Sequence, residues 1–230
     1  DSSNNAIQGS GRTVNVSFTV NAPCSLQLAS NALSFTVAQG QSAPPASQTV
    51  GITEGGSCVY PVSFAASGDS NSSSWLGVSL TSKTDTNGSG SSAVISILST
   101  TLAPGTYKGT VSVSASGNGG AGVVGSPHSI TVTLKVTGFT VSGSVVACTD
   151  STCASPVALP GAALVLKAST GSTVTTITAD SSGNFSFRGI GSGTYTVVIT
   201  GSISSTNYGA TISLTVNGNQ TNVVFKTSPV

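Results

Sequence analysis

Four cysteines are the residues whose type and spacing carry the clearest chemistry in this 230-residue chain. They form two pairs, Cys24 with Cys58 and Cys148 with Cys153. Four cysteines allow three disulfide connectivities, and pairing within each half of the chain is the simplest of them. Loop-closure entropy predicts a stabilisation of about 3 to 4 kcal/mol from the longer loop and about 2 kcal/mol from the shorter one. Paired cysteines and the absence of methionine favour a protein that functions outside the cytoplasm.

A zinc site is the alternative use of these thiols, and it requires four ligands in a compact arrangement. Only one histidine, His128, is present to complete such a site, so we expect no metal and no other cofactor. His128 is also the only candidate base for a Ser/His/acid triad. It follows Pro127 at the start of a predicted strand, where we expect an exposed residue without a catalytic role.

Paired carboxylates offer a second route to catalysis, because general acid and base groups must converge on one cleft. The six acidic residues are instead scattered along the sequence: Asp1, Glu54, Asp69, Asp85, Asp150 and Asp180. Their spacing predicts no acid/base pair. We therefore expect that the protein is not an enzyme.

Charge is scarce, with charged residues at 6% of the chain and a formal net charge of +1. Nucleic acids and anionic membranes are poor partners, because no basic patch is present to attract them. No stretch approaches the roughly 18 to 20 apolar residues of a membrane-spanning helix. The sequence starts at Asp1 without a methionine or an apolar leader, as expected if a signal peptide had been removed. The predicted location is extracellular or at the cell surface.

Carbohydrate binding would need exposed aromatic rings, and the chain has one tryptophan and four tyrosines. Trp75 precedes Leu76 at a predicted strand start, where core packing competes with glycan contact. Tyr208 lies between Asn207 and Gly209 in a predicted loop and has the greatest freedom to bind a sugar. Trp75 and Tyr208 are therefore the candidate glycan contacts.

The elements that must position these residues are strands. One sequence motif, a repeated phrase of Gly-Thr-Tyr followed by alternating residues, occurs at two of them. Residues 105–111 and 193–199 both run from a glycine through Thr-Tyr into an alternating strand. Glycine accommodates a tight turn, and tyrosine packs its ring while its hydroxyl reaches a polar partner. The β-branched residues that follow favour a pleated surface. Each copy predicts a late strand of its own antiparallel sandwich.

Alternating apolar and polar residues recur along the whole chain, whereas helical periodicity is nowhere sustained. The length suits two domains of about 100 to 130 residues. The sequence therefore predicts an all-β protein of two consecutive antiparallel β-sandwiches. The strand count of the first is typical of an immunoglobulin-like sandwich.

Several short motifs mark the first sandwich: Cys24-Ser25-Leu26, Leu33-Ser34-Phe35, and residues 47–50, 75–79, 102–111 and 130–136. Together they resemble the BACON-like, immunoglobulin-like repeats of secreted bacterial proteins over residues 24–137. The resemblance implies a module associated with carbohydrates or with surfaces. It implies no catalytic residues.

Different motifs mark the second half: Pro160-Gly161-Ala162, residues 180–187 and Gly193-Thr194-Tyr195. They are similar to the carboxypeptidase regulatory-like or collagen-adhesin B-type sandwich, with transthyretin-like topology, over residues 139–227. The resemblance implies a rigid spacer or stalk. Adhesin domains of this type often form a Lys–Asn isopeptide bond beside a buried acid. The strand after Tyr195 lacks the expected glutamate, so we expect no such bond between Lys167 and Asn222.

An amphipathic stretch precedes the first sandwich and exceeds what that sandwich requires. Its apolar residues fall on one face of a strand over residues 13–20: Val14, Val16, Phe18 and Val20. Residues 1–11 are polar and predict a flexible leader. The extra strand can pair within its own sandwich, or it can complete a sheet of a neighbouring copy. The predicted domains are thus residues 1–23, a leader with a candidate donor strand, then 24–137 and 138–230.

Two functions are compatible with these features of the sequence. In the first, the protein is a secreted subunit of a pilus-like filament that assembles head-to-tail by donating residues 13–20 to the next copy. In the second, it is an adhesive surface protein whose partners are surface glycans. Removal of residues 1–21 distinguishes them, because only the first predicts polymers of the full chain and a soluble monomer of the truncated one.

Overall fold

Strands form over most of the chain because apolar and polar residues alternate along it. The structure, a computed structural model, describes residues 13–230, so the predicted leader over residues 1–11 lies outside the described residues. The described part is nearly all β, as the sequence predicts, with a short 3-10 helix at Asn118–Gly120. It contains two separate hydrophobic cores, drawn from residues 26–136 and from residues 141–225.

Nine strands surround the first core: β1 (Ser25–Leu28), β2 (Ala32–Ala38), β3 (Gln48–Gly55), β4 (Val62–Gly68), β5 (Leu76–Leu80), β6 (Thr84–Asp85), β7 (Ser91–Ile97), β8 (Gly105–Ser116) and β9 (His128–Thr137). They form a four-stranded sheet in the order β1-β3-β7-β5 and a five-stranded sheet in the order β2-β9-β8-β4-β6. Strand β8 shows the pattern, since Val111, Val113 and Ala115 are buried at every second position. The core lies between the two sheets.

Eight strands form the second sandwich: β10 (Phe139–Ala147), β11 (Val157–Ala158), β12 (Ala163–Ala168), β13 (Thr173–Thr178), β14 (Asn184–Ile190), β15 (Gly193–Ile203), β16 (Thr206–Val216) and β17 (Gln220–Pro229). Their order is β11-β10-β17-β16-β15-β12-β13, and β14 also pairs with β10. Strands β16 and β17 pair at only two positions, Tyr208 with Pro229 and Gly209 with Ser228. The two halves of the sheet joined there enclose the second core.

Each sandwich contains one parallel strand pair among its antiparallel pairs, a detail that the prediction of antiparallel sandwiches did not include. Strand β2 runs parallel to β9, and β10 runs parallel to β17. A hairpin forces neighbouring strands to be antiparallel, but strands that meet from distant parts of a chain are under no such constraint. The first strand of each of these pairs is early in its domain and the second is the last.

The repeated Gly-Thr-Tyr phrase gives two tyrosines matching roles. The Tyr107 hydroxyl donates to the Ala103 carbonyl at 2.8 Å, and the Tyr195 hydroxyl donates to the Gly191 carbonyl at 2.9 Å. Both rings pack against the core of their own sandwich. Each tyrosine therefore ties the start of a strand to the loop four residues before it, as in the tyrosine corner of immunoglobulin-like sandwiches.

Both predicted disulfides are formed. Cys24, just before β1, is bonded to Cys58 in the loop before β4. Cys148 and Cys153 close a short loop between β10 and β11. No cysteine among residues 13–230 is left as a thiol for zinc.

A single glycine separates the two sandwiches. Strand β9 ends at Thr137 and β10 begins at Phe139, so only Gly138 lies between them. A Cβ atom at Gly138 would lie 2.5 Å from the carbonyl carbon of Gly189. Any other residue would clash with the second sandwich, and the junction between the domains is therefore short and closely packed.

Candidate functional site

Residues 13–20 lie apart from both cores. They belong to no strand, and all their side chains are exposed. The apolar side chains that alternate along the segment are 79% to 87% exposed: Val14, Val16, Phe18 and Val20. The alternative of an extra strand within the same sandwich is therefore wrong for this structure, in which residues 13–20 pair with none of the nine strands of that sandwich. An exposed face of apolar side chains at every second position is typical of an interaction site.

The segment leaves the first sandwich from a fixed point. The Ser57 N–H donates to the Ala22 carbonyl at 2.9 Å, and Pro23 forms a β-bridge with Ser57. The disulfide holds the next residue, Cys24, to Cys58. Residues 13–20 therefore project from one defined end of the domain.

Strand β5 is an open edge of the four-stranded sheet, and among the described strands it pairs only with β7. The Thr81 N–H donates across this pair to the Ser92 carbonyl at 2.9 Å. In an antiparallel pair, alternate residues direct both backbone groups at the partner, so the odd-numbered residues of β5 face β7. The backbone groups of Val78 and Leu80 consequently point away from the sheet. Within residues 13–230 they form no hydrogen bond.

A groove of about 400 Å³ opens beside this edge, between β5 and β4. Mostly apolar or small side chains line it, together with one lysine: Phe64, Ala65, Ala66, Val78, Ser79, Leu80 and Lys83. Val78 and Leu80 pack against the core but are only half-buried. On this side of β4, strand β6 covers only Val62 and Ser63. The groove therefore opens onto half-buried side chains at the edge of the first core.

Two other edges of the first sandwich carry additional hydrogen bonds at individual positions. Beside β1, the Leu26 N–H donates to the Val124 carbonyl at 2.8 Å, and the Val124 N–H donates to the Cys24 carbonyl at 2.9 Å. Beside β2, Gln48 Nε2 donates to the Ser34 carbonyl at 2.8 Å. Val124 therefore covers the start of β1, whereas Gln48 occupies a single carbonyl of β2. On β5 the outward backbone groups of Val78 and Leu80 have no such partner within residues 13–230.

Two carboxyl groups from distant positions interact in the first sandwich. Asp85 is 2% exposed, and its carboxylate accepts the backbone N–H groups of Asn87, Ser89 and Gly90 at 3.1, 3.3 and 2.7 Å. Burial opposes its ionisation, but these hydrogen bonds outweigh burial and lower the pKa of Asp85. Burial raises the pKa of Glu54, and the nearby charge of Asp85 raises it further. Both carboxyl oxygens of Glu54 are buried without a hydrogen-bond partner.

This pair offers too few ligands for a metal site. In the described part of the chain, no cluster of three or more His, Cys, Asp or Glu residues could hold a metal ion. His128 is exposed at the start of β9. Lys167 and Asn222 lie on β12 and β17, which are not paired with each other. No helix within residues 13–230 is long and apolar enough to cross a membrane.

Neither predicted glycan contact is available at the surface, so that prediction is wrong for both residues. Trp75 is 4% exposed, and its ring centroid lies 6.3 Å from that of Tyr107. Tyr208 is 6% exposed and lies within β16 rather than in a loop. The turn before β16 falls at Ser204 and Ser205, whose φ angles are 47° and 70°. The strand therefore begins earlier than expected and carries Tyr208 into the core.

The open edge of β5 and the Glu54–Asp85 pair are absent from the sequence predictions. A weak signal for the groove is present, since small residues occupy the C-terminal half of β4, from Ala65 to Gly68. Small side chains on one strand leave space beside the half-buried Val78 and Leu80 of another. No comparable signal links Glu54 to Asp85, because strand order alone brings them together.

Comparison with known families and proteins gives a match for the second sandwich. Residues 136–228 match the family model for the second β-sandwich domain of BOS complex subunit NOMO1-like proteins. No curated protein matches the chain. The BACON-like assignment of the first sandwich and the transthyretin-like assignment of the second stay predictions.

Solved structures similar to the chain include bacterial adhesin and pilin subunits. An adhesin from Mobiluncus mulieris is 10% identical with a TM-score of 0.52, and the match covers 91% of this chain and 100% of that one. The Bacillus anthracis TIE protein is 9% identical with a TM-score of 0.45, over 90% of this chain and 41% of that one. BcpA, the major pilin subunit of Bacillus cereus, is 10% identical with a TM-score of 0.37, over 91% of this chain and 71% of that one. The chain spans less than half the length of the TIE protein, and the likeness to the adhesin shows a shared fold alone.

Proposed function

We propose that the protein is an extracellular structural subunit of a pilus-like filament, in which residues 13–20 of one copy complete a sandwich of the next. The observation that carries this proposal is the exposure of the segment, which reaches 87% at Phe18. An alternating strand with an apolar face gains hydrogen bonds and burial by joining the edge of another sheet. In a single copy, residues 13–20 have neither strand pairing nor burial.

The arrangement of one donor segment and one acceptor in each copy would build a filament. A contact between two different surfaces is head-to-tail, and it propagates as an open polymer unless its rotation closes a ring. Residues 13–20 and the sandwiches are such different surfaces. The second sandwich, which follows the first after the single residue Gly138, would then be a stalk or an outward decoration.

An oxidising compartment is supported by the two disulfides, because such bonds persist mainly in extracellular and periplasmic proteins. Each disulfide closes within a single sandwich, Cys24–Cys58 in the first and Cys148–Cys153 in the second. They would stabilise each subunit in an environment without chaperones or reductants. We therefore assign the filament to the cell surface or the extracellular space.

A single substitution in the full chain tests the proposed function. Phe18→Asp places a charge on the apolar face of the segment, and because Phe18 contacts no core the subunit should fold unchanged. Ser17→Asp is the matched control, since it adds the same charge to the opposite face. Electron microscopy and size-exclusion chromatography should show polymers of the native chain and of Ser17→Asp, and monomers of Phe18→Asp. Polymers of Phe18→Asp equal to those of the native chain would overturn donation.

A further inference from the structure

We infer that the acceptor of residues 13–20 is the open edge of β5, with the groove between β5 and β4, in a second copy of the chain; this inference rests on the proposed function. The binding site is defined by the residues that line the groove. Its occupant is a strand without charged side chains, which adds to the four-stranded sheet beyond β5.

Backbone hydrogen bonding fits this acceptor. The carbonyl of Leu76 and both backbone groups of Val78 and Leu80 face outward from β5, by the register of its pairing with β7. The Leu76 N–H is already used, since it donates to the Ser72 carbonyl at 2.8 Å. An added strand would satisfy the remaining groups along the length of β5. On the other side of the groove, the Phe64 N–H of β4 already donates to the Lys83 carbonyl at 2.8 Å.

Side-chain packing fits as well. Residues directly opposite each other on neighbouring strands point to the same face of a sheet. Leu76, Val78 and Leu80 point towards the core, so the apolar face of the donated strand would also point inward, over the groove. There Ala66 is small and half-buried, which leaves room for Phe18 or a valine. The exposed donor face and the half-buried core residues would cover each other.

The end of the segment nearest Pro23 cannot reach this edge in its own molecule. Strands β1 and β5 lie at opposite edges of their sheet, three strand spacings or about 14 Å apart. Leu80 is level with Val50, through Ala93, whereas the segment emerges beyond Gly55, about 16 Å further along β3. Asn21 and Ala22, which link Val20 to Pro23, span at most about 10 Å. A donor strand that pairs along its whole length must therefore come from another copy.

A second open edge provides a control within the same chain. Strand β13 pairs only with β12 among the described strands, and the Ala179 N–H donates to the Ala162 carbonyl at 2.9 Å. By the same parity, the N–H of Thr176 points outward. Proline is tolerated on an edge strand where the N–H faces solvent. Val78→Pro and Thr176→Pro are thus matched substitutions at two sheet edges.

Complementation between full-length variants tests the acceptor. Val78→Pro removes an outward N–H and places a ring where the donor would lie, but keeps its own donor segment. Phe18→Asp loses the donor but keeps the acceptor. Neither variant should form polymers alone, and an equimolar mixture should form heterodimers that grow no further, as measured by analytical ultracentrifugation. Thr176→Pro should polymerise like the native chain, and circular dichroism checks that each variant folds.

The outcomes separate this inference from the proposed function. If Val78→Pro is folded and polymerises as well as the native chain, the β5 acceptor is overturned while donation stands. If only Thr176→Pro loses assembly, the acceptor lies in the second sandwich and the inference is overturned. If Phe18→Asp polymerises normally, both the proposed donation and the inferred acceptor are overturned. Heterodimers formed only in the mixture would support β5.

Discussion

The backbone N–H of Ser192 donates a 2.8 Å hydrogen bond to Gln39 Oε1, and this contact joins the two sandwiches. Gln39 follows β2 and is only 8% exposed. A Cβ atom at Gly191 would lie 3.4 Å from Cδ of Pro104. Pro104 belongs to the turn before Tyr107, and Ser192 to the turn before Tyr195. The two copies of the repeated phrase therefore meet at the domain junction.

Loss of the Gln39 acceptor should loosen the domain junction. In Gln39→Ala the Ser192 N–H loses its partner, which should lower the free energy of unfolding by about 1 to 2 kcal/mol. Small-angle X-ray scattering should also show a wider spread of domain orientations. Gln41→Ala is the matched control, because Gln41 is exposed and its amide oxygen lies 3.5 Å from the nearest donor, the Ala38 N–H. Equal effects of both variants would contradict a role for this bond.

Removal of the Tyr195 hydroxyl should destabilise the second sandwich. Tyr195→Phe keeps the ring packing but loses the hydrogen bond to Gly191, which should cost about 1 kcal/mol in chemical denaturation. Tyr208→Phe is the control, because the Tyr208 hydroxyl forms no hydrogen bond within the described residues. If both substitutions cost the same, the tyrosine corner is not the source of the stability.

Substitution of Glu54 by glutamine should stabilise the protein at neutral pH by up to about 1 kcal/mol, since it removes a carboxylate without a hydrogen-bond partner that lies near the charge of Asp85 and is partly screened by solvent. The raised pKa of Glu54 means that the folded state favours its protonated form. Its contribution to stability is full below the ordinary glutamate pKa and is lost as pH rises through the raised value. The advantage of Glu54→Gln over the native chain should therefore grow from pH 4 to pH 8 in urea unfolding.

Asp85→Asn should show a pH dependence of stability opposite in sign to that of Glu54→Gln. The lowered pKa of Asp85 means that its contribution is present above the ordinary aspartate pKa and is lost as pH falls through the lowered value. The variant should lose roughly 2 kcal/mol at pH 7, because an amide cannot accept on both sides. The loss should shrink in acid. A pH profile of the same sign for Glu54→Gln and Asp85→Asn would contradict the assigned pKa directions.

The two disulfides should differ in their contributions to stability. The double variant Cys24→Ser, Cys58→Ser should lose about 3 to 4 kcal/mol, and Cys148→Ser, Cys153→Ser about 2 kcal/mol, because the longer loop restricts the unfolded chain more. Thermal unfolding with and without reductant measures both. Reductant should leave the doubly substituted domain unchanged, and a further loss there would point to a different cause.

The sequence predicted those features that depend on local pattern. Period-two alternation gave the strands, and the Gly-Thr-Tyr phrase gave two tyrosines with polar partners. Tyr208 was misplaced because its neighbours Asn207 and Gly209 are typical turn residues, whereas Ser204 and Ser205 adopt the positive φ angles of the actual turn. A two-residue hairpin turn normally selects glycine or asparagine at such positions.

Features that depend on strand order could not be predicted in the same way. The parallel pairing of β2 with β9 and the open edge of β5 follow from how distant strands are arranged in the sheets. The Gln39–Ser192 bond joins residues 153 positions apart. No local pattern marks Gln39 as buried, because its partner is a backbone N–H that any residue could provide.

The Cys24–Cys58 bond has a mechanical consequence for a polymer joined through residues 13–20. A pull on that segment would arrive at Cys24, before any hydrogen bond of β1 could be peeled from β3. The sulfur bridge would divert the pull to Cys58, in the loop that leads from β3 to β4 in the opposite layer. Both layers of the sandwich would then resist stretching together, and a fibre made of such units would extend without unravelling from its ends.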